Sequence, residues 1–485
     1  MPRLALLRPV FPLSGFGIAP QDNNTWANGL DWTVSGVARF SCEMLLKSYG
    51  AVVCLVLGAG FAGGLLSAAA PAKSGKASSG SKKKVVKKKA AAPVPRVSPA
   101  VRAAAHELVE SGMGAEPDHF RNLEALRPFF LRLARAQAEN TPIHVLQYGD
   151  SHTASDDWAD AMRKPFQEKF GNGGPGFTVA GNPFRGYRRF DIRGAGSPGW
   201  VTAGTVAHRG DDRNGLAGLS VTASRPGETV TLTTSGEQLA LFYLKQPGGG
   251  TFTISDNGSP VAEVSTDDAD GTGTGTGTYR LTTTPGEHLY RLQTVSYAPV
   301  RLYGWVSEQA SGLTWETLGI NGAQASMLLD WDQSLWREQL QNRKPALIVL
   351  AYGTNEALYP RWTRETYRAG LVALITNLKQ TVPDATLLLV GPPECGRLRP
   401  FPYLNQVVEV QAEVAQEMGV AFWDWALHMR ESGGRAKWVQ AGYSQADYTH
   451  LTAEGYRLLG RTLAGELLLE YRRAMQDLLP SQAGN

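Results

Sequence analysis

"IHVLQYGDSHTASDDW", residues 143–158, passes from an apolar run straight into Gly149, Asp150, Ser151 and His152. Ile143–Leu146 reads as a buried strand, and Gly149 as its end. The following "TASDDWADAMRKPFQEKFG" reads as a helix. Ser151 is therefore expected on a strand-to-helix turn, where backbone N–H groups and the helix dipole favour negative charge. Asp150 suits that turn as an acceptor of backbone N–H groups. Asp156 and Asp157 fit the first turn of the helix, where the dipole favours acids. Taken alone, Ser151 is an ordinary helix cap. The rest of the chain decides whether it is more.

Two helices are expected before this stretch, "SPAVRAAAHELVESG" and "NLEALRPFFLRLARAQAE", the second carrying a Pro able to kink it. After Ser311 the pattern returns as "PALIVLAYGTNEA", "YRAGLVALITNLKQTV", "ATLLLVGPPE", "VVEVQAEVAQEMG", "VAFWDWA" and a long closing helix capped at Thr452. Continuous apolar strands alternating with helices predict a parallel sheet covered on both faces. Ligands of such sheets gather at the carboxyl ends of the strands. Ser151, Asn355 and Glu394 all follow such ends.

Residues 173–310 differ. "ETVTLTTSG", "LALFYLK", "GTFTISDNG" and "VRLYGWVSE" are β-branched and aromatic, with turn residues between them. "SDNGSP" carries an Asn-Gly hairpin signal. "GTGTGTGT", 271–278, is low in complexity and is expected as a flexible loop. The block reads as an antiparallel β-sandwich inserted into the α/β domain, which is split into 99–172 and 311–485.

Serine-based ester cleavage needs an exposed hydroxyl, a base, a group that orients the base, and donors for the oxyanion. "ADYTHLTAEGY" sets Asp447 and His450 in one loop before the last helix, so both side chains can converge. "LAYGTNEA" places the Asn355 amide past a strand end. "LGINGAQASM" places Gly322 in a loop where a backbone N–H can approach substrate. The N–H of Ser151 is a third donor.

"GDSH", "GINGA", "GTNE" and "DYTH" resemble, in order and role, the four blocks of the SGNH (GDSL-like) hydrolases. The resemblance implies a three-layer α/β/α fold. It also implies Ser151 as nucleophile, His450 as base, Asp447 as its orienting acid, and Gly322 and Asn355 as oxyanion donors with Ser151. Gly319 competes for the second block; Gly322 is preferred because it follows Asn321 within "NGA". "GDSHTASD" with a long β-rich insert is similar to the bacterial peptidoglycan O-acetylesterases, whose insert resembles a carbohydrate-binding module. His152 replaces the commoner Leu, and Glu356 stands where Asp is frequent; a structural hydrogen-bond role is expected for His152. Trp200, Trp305 and Trp315 are candidates either for stacking on sugars or for core packing.

The implied activity is release of O-acetyl groups from an envelope polysaccharide, peptidoglycan first, through an acetyl-serine. Acetyl transfer, another acetylated polysaccharide, or a non-catalytic envelope-binding protein are the alternatives. No cofactor and no metal are expected, and the partner is the polymer, met by a monomer.

Of the net charge of +4, residues 71–98 hold +9 and residues 1–70 hold +1, leaving −6 for the body. An acidic body without an aromatic–basic pattern argues against nucleic acid. Residues 44–72 have the charged, apolar and small-residue order of an export signal, either cleaved or kept as an anchor. Residues 73–98 read as a Lys-, Ala- and Pro-rich linker, a self-repelling spacer able to touch anionic envelope polymer. Residues 1–43 are irregular, as a start codon placed too early would explain. An exported, periplasmic or envelope location is expected. Cys42, Cys54 and Cys395 show no metal-ligand or redox spacing.

Overall fold

The computed structural model describes residues 97–113, 119–269, 271, 274–396 and 400–477. The stretches read as an upstream segment, an export signal and a linker, up to residue 96, lie outside the described residues. Among those described, no helix is long and apolar enough to cross a membrane.

The chain opens with α1 (Pro99–Met113), β1 (Phe120–Arg121) and α2 (Arg127–Glu139). Pro128 does not kink α2. It lies in the first turn, where its missing N–H costs nothing. Next come β2 (Pro142–Gly149), α3 (Ser151–Ala154) and α4 (Asp157–Phe170). The single helix expected after Ser151 is thus broken. Asp156 sits left-handed at φ 62° between the two pieces. Its carboxylate, fully buried, accepts from Arg163 Nη2 at 2.7 Å and from the Phe190 N–H at 2.8 Å. Long-range partners, not the helix dipole, place it.

The β-rich block contributes β3 (Gly176–Val179), β4 (Arg193–Gly196), β5 (Val201–Ala203) and β6 (Ser220–Ala223). It continues with β7 (Thr229–Thr234), β8 (Gln238–Lys245), β9 (Thr251–Asp256) and β10 (Ser259–Ser265). It ends with β11 (Gly275–Thr282), β12 (His288–Thr294) and β13 (Val300–Glu308). One antiparallel sheet has the order β10-β9-β12-β7-β4, the other β11-β8-β13-β6-β5, with β3 added on β13. Leu232, Ile254 and Leu292 of the first sheet meet Leu241, Leu302 and Trp305 of the second. Asn257 and Gly258, both at positive φ, make the β9–β10 turn.

The Gly-Thr repeat is not a loop from Gly275 onward; it is strand β11, paired along β8. Its alternation suits a strand. Gly277 lies under the Tyr243 ring, where a Cβ would come within 2.1 Å of the ring, and Thr276 accepts from Gln339 Nε2.

The chain then returns with β14 (Gly312–Gly319), α5 (Met327–Asp330), α6 (Gln333–Arg343), β15 (Leu347–Ala351), α7 (Arg364–Thr381), β16 (Thr386–Val390) and α8 (Leu404–Met418). It closes with β17 (Ala421–Trp423), α9 (Trp425–Glu431), α10 (Gly434–Ala441) and α11 (Ala453–Gln476). "VAFWDWA" is strand only to Trp423, because Asp424 accepts from the Leu427 N–H and starts α9. The main sheet is ordered β1-β17-β16-β15-β2-β14. Five strands are parallel and the short β1 is an antiparallel edge.

Period-two alternation splits each central strand between two cores. Val145, Leu347 and Val349 face Trp158, Phe166 and Leu463 of α4 and α11. Leu146, Ile348 and Leu350 face Trp336, Leu374 and Val410 on the other side. Phe177, Ala240 and Val306 of the β-sandwich join this second core, so the insert is packed into the α/β domain. Trp305 and Trp315 are 1% and 0% exposed and fill cores; neither can stack on a sugar.

In the parallel ladder Gly149 is level with Gly319 on one side and with Ala351 on the other. Gly319 also lies under α3, where a Cβ would be 2.3 Å from the Ala154 nitrogen. Gly319→Ala should therefore cost about 1–3 kcal/mol of stability through backbone displacement, read as a lower midpoint in urea unfolding.

Candidate active site

Three neighbouring strands end at one level, and three loops leave from there. The β2 loop carries Asp150 and Ser151, the β14 loop Gly322, and the β15 loop Asn355. The fourth contribution comes from the loop before α11. Tyr448 adopts a left-handed φ of 59° there, and its carbonyl accepts from the Gly396 N–H. The turn brings Asp447 and His450 onto the same edge.

Ser151 Oγ lies 3.0 Å from His450 Nε2, and His450 Nδ1 lies 2.8 Å from Asp447 Oδ2. Asp447 Oδ1 also accepts from the N–H groups of Thr449 and His450 at 2.9 and 3.0 Å. Partial burial would raise the Asp447 carboxyl, but these hydrogen bonds outweigh it and hold the group below its ordinary value. The acid thus stays charged and fixes the imidazole. The side chains of His450 and Asp447 are 37% and 47% exposed, so the site is open.

The N–H groups of Ser151 and Gly322 meet no protein acceptor among the described residues. Gly322 is exposed at φ 78°, a conformation that favours glycine. Gly319, by contrast, is packed beneath α3. The Asn355 amide donates to the Ala323 carbonyl at 2.9 Å and to Asp150 Oδ2 at 3.3 Å. The dipole expected of a long helix behind Ser151 is reduced to that of the one-turn α3.

Buried acids hold these loops. Asp150 Oδ1 accepts from the His152 N–H at 2.9 Å, and burial pushes the carboxyl up to about 7. Glu356 joins the second and third loops, accepting from the Ala325 N–H at 2.8 Å and the Gly353 N–H at 3.0 Å. Burial pushes it too up to about 7. Sequence reasoning treated Glu356 only as a departure from the family pattern; its bracing role depends on contacts 31 residues away. His152 shares a 2.8 Å hydrogen bond with the Tyr456 hydroxyl, and burial lowers it to about 3. It is a neutral ring behind His450, centroids 5.3 Å apart. Cys395 is buried, its thiol pushed up by burial, and Glu394 is paired with Arg435 at 2.8 Å.

Residues 293–458 match the GDSL-like lipase/acylhydrolase family model. That match omits Ser151, which the fold brings to the same edge. The whole arrangement is that of an SGNH (GDSL-like) hydrolase of the esterase type. The chain is similar to a peptidoglycan O-acetylesterase of known structure, with 26% identity and a TM-score of 0.62 over 71% of this chain and 96% of that one. A family two carbohydrate esterase from Clostridium thermocellum in complex with cellohexaose (15% identity, TM-score 0.26, 54% and 97% covered) also matches. So does a salicylyl acyltransferase from a tetracycline biosynthetic pathway (13%, 0.27, 61% and 100%). Neither of these two bears on function here. No curated protein matches the sequence.

Glu356 gives a pH test. Its folded value of about 7 exceeds the reference 4.5, so its contribution to stability is full below 4.5 and is lost as pH rises through about 7. Glu356→Gln lacks that dependence. The stability of the variant relative to the native chain should therefore improve between about pH 4.5 and 7 and be level above, measured by urea unfolding at each pH. A constant difference would show that the carboxyl titrates normally.

Proposed function

We propose that the chain is a serine esterase that removes O-acetyl groups from an envelope polysaccharide, peptidoglycan in the first instance. The observation that carries this reading is the Ser151–His450–Asp447 relay at 3.0 and 2.8 Å. In the proposed cycle Ser151 Oγ attacks the acetyl carbonyl while His450 Nε2 takes its proton. The oxyanion is met by the N–H groups of Ser151 and Gly322 and by the Asn355 amide as it leaves Asp150. His450 returns the proton to the departing sugar oxygen. It then takes a proton from water as the water attacks the acetyl-serine, and gives that proton to Ser151 Oγ as the ester bond breaks and acetate leaves.

An open site suits an ester carried on a polymer that cannot be engulfed. The likeness to a peptidoglycan O-acetylesterase supports peptidoglycan over other acetylated chains. The substrate implies an exported protein, which fits the signal-like residues 44–72. The basic residues 73–98 would then lie beside anionic envelope polymer.

Acetate release from O-acetylated peptidoglycan, with acetylated xylan alongside, tests the reading. Ser151→Ala should abolish release. Asp447→Asn should lower kcat about 10²–10⁴-fold. Asn355→Ala should lower it by the equivalent of about 2.7–4 kcal/mol, with a smaller change in KM. Equal release by native chain and Ser151→Ala would refute the mechanism; faster release from xylan would move the substrate.

A further inference from the structure

Away from Ser151, the lead-in to β1, α9 and α11 bring His119, His428 and Glu466 together. All three are buried, at 3%, 0% and 6% exposure. One nitrogen of each ring and one carboxylate oxygen lie within 4.8 Å of one another. We propose that this cluster binds one divalent first-row transition ion, zinc being the best match to its donors.

The hydrogen bonding around the rings points to a ligand. His119 Nε2 meets Glu431 Oε2 at 2.8 Å, and His428 Nε2 meets Glu466 Oε1 at 2.7 Å. The Nδ1 atoms of both rings are buried and have no partner among the described residues. At His119 the Glu431 carboxylate on Nε2 is the usual support of a ligating histidine, fixing the tautomer and leaving Nδ1 for a metal, while at His428 the ion would take the place of the proton shared by Nε2 and Glu466 Oε1. A buried polar nitrogen without a partner is otherwise costly. The rings also stack, with centroids 3.7 Å apart and planes 12° from parallel.

The donor set of two imidazoles and a carboxylate, with a fourth position for water, suits zinc. Bonds of about 2.0–2.1 Å in a tetrahedral site need donor separations of about 3.4 Å. Binding must therefore turn the rings out of their stack. Trp423 reports on that motion: its Nε1 donates to Glu466 Oε2 at 2.8 Å and its ring lies 5.1 Å from His428. Glu431 is 57% exposed, so the cluster sits just beneath the surface. The ion would pin α9, whose first residue Trp425 packs 5.2 Å from His152. The inference does not depend on the chemistry at Ser151.

The test uses the full chain without an affinity tag, stripped with chelator and titrated with Zn²⁺ or Co²⁺. The expected result is one ion per chain by elemental analysis, visible absorption bands with Co²⁺, altered tryptophan fluorescence and a higher Tm. His119→Ala should weaken uptake at least tenfold. Glu431→Gln should weaken it about 10–100-fold, and its exposure keeps the fold intact should the buried variant fail. Absence of uptake at micromolar metal, or uptake unchanged in Glu431→Gln and His119→Ala, overturns the site.

Discussion

Gly149 stands between Gly319 and Ala351 at one level of the parallel sheet, and the site depends on that register. Parallel strands start their exit loops on the same side. With these three neighbours in step, the loops that carry the hydroxyl, the bare N–H and the amide all leave from one edge of the sheet. A slip of one residue would turn every strand side chain to the opposite core. The two cores thus guard the register, and through it the oxyanion geometry. Gly319 adds close approach, since α3 can rest on the β14 end only where no Cβ intervenes.

Buried charge holds what packing alone cannot. Asp156 binds Arg163 and the Phe190 N–H, while Arg163 also reaches the Trp315 carbonyl and Asp191. Arg189 adds the carbonyls of Phe177 and Pro175. The turn after Ser151, strand β14 and the start of the insert are tied in one network. Such a network is weak as a source of net stability, but losing one partner costs about 3–5 kcal/mol. Its consequence is position: the insert cannot shift without unpairing a buried ion.

The α/β framework was legible because its strands are uninterrupted apolar runs, and the candidate site because Ser151 and Asn355 follow strand ends while Asp447 and His450 share one short loop before the last helix. Illegible features depend on distant partners. Asp156 breaks a helix for the sake of Arg163 and Phe190. Gly277 yields a strand because Tyr243 covers it. Trp305 and Trp315 look like sugar platforms until the cores are known. His119, His428 and Glu466 share no spacing at all, being gathered by β1, α9 and α11.

The fused core changes what the insert can do. A tethered module would raise local polymer concentration without orienting any bond. Here Phe177, Ala240 and Val306 are part of the α/β core, so the sandwich is a fixed wall. Its residues reach the cleft: Val206 lies beside Gly322, Arg185 accepts from Asn321, and the Arg188 N–H donates to the Ala154 carbonyl. A polymer lying along that wall would meet the oxyanion loop in one orientation. Binding energy gathered on the insert would then act at the ester itself, where orientation lowers the barrier.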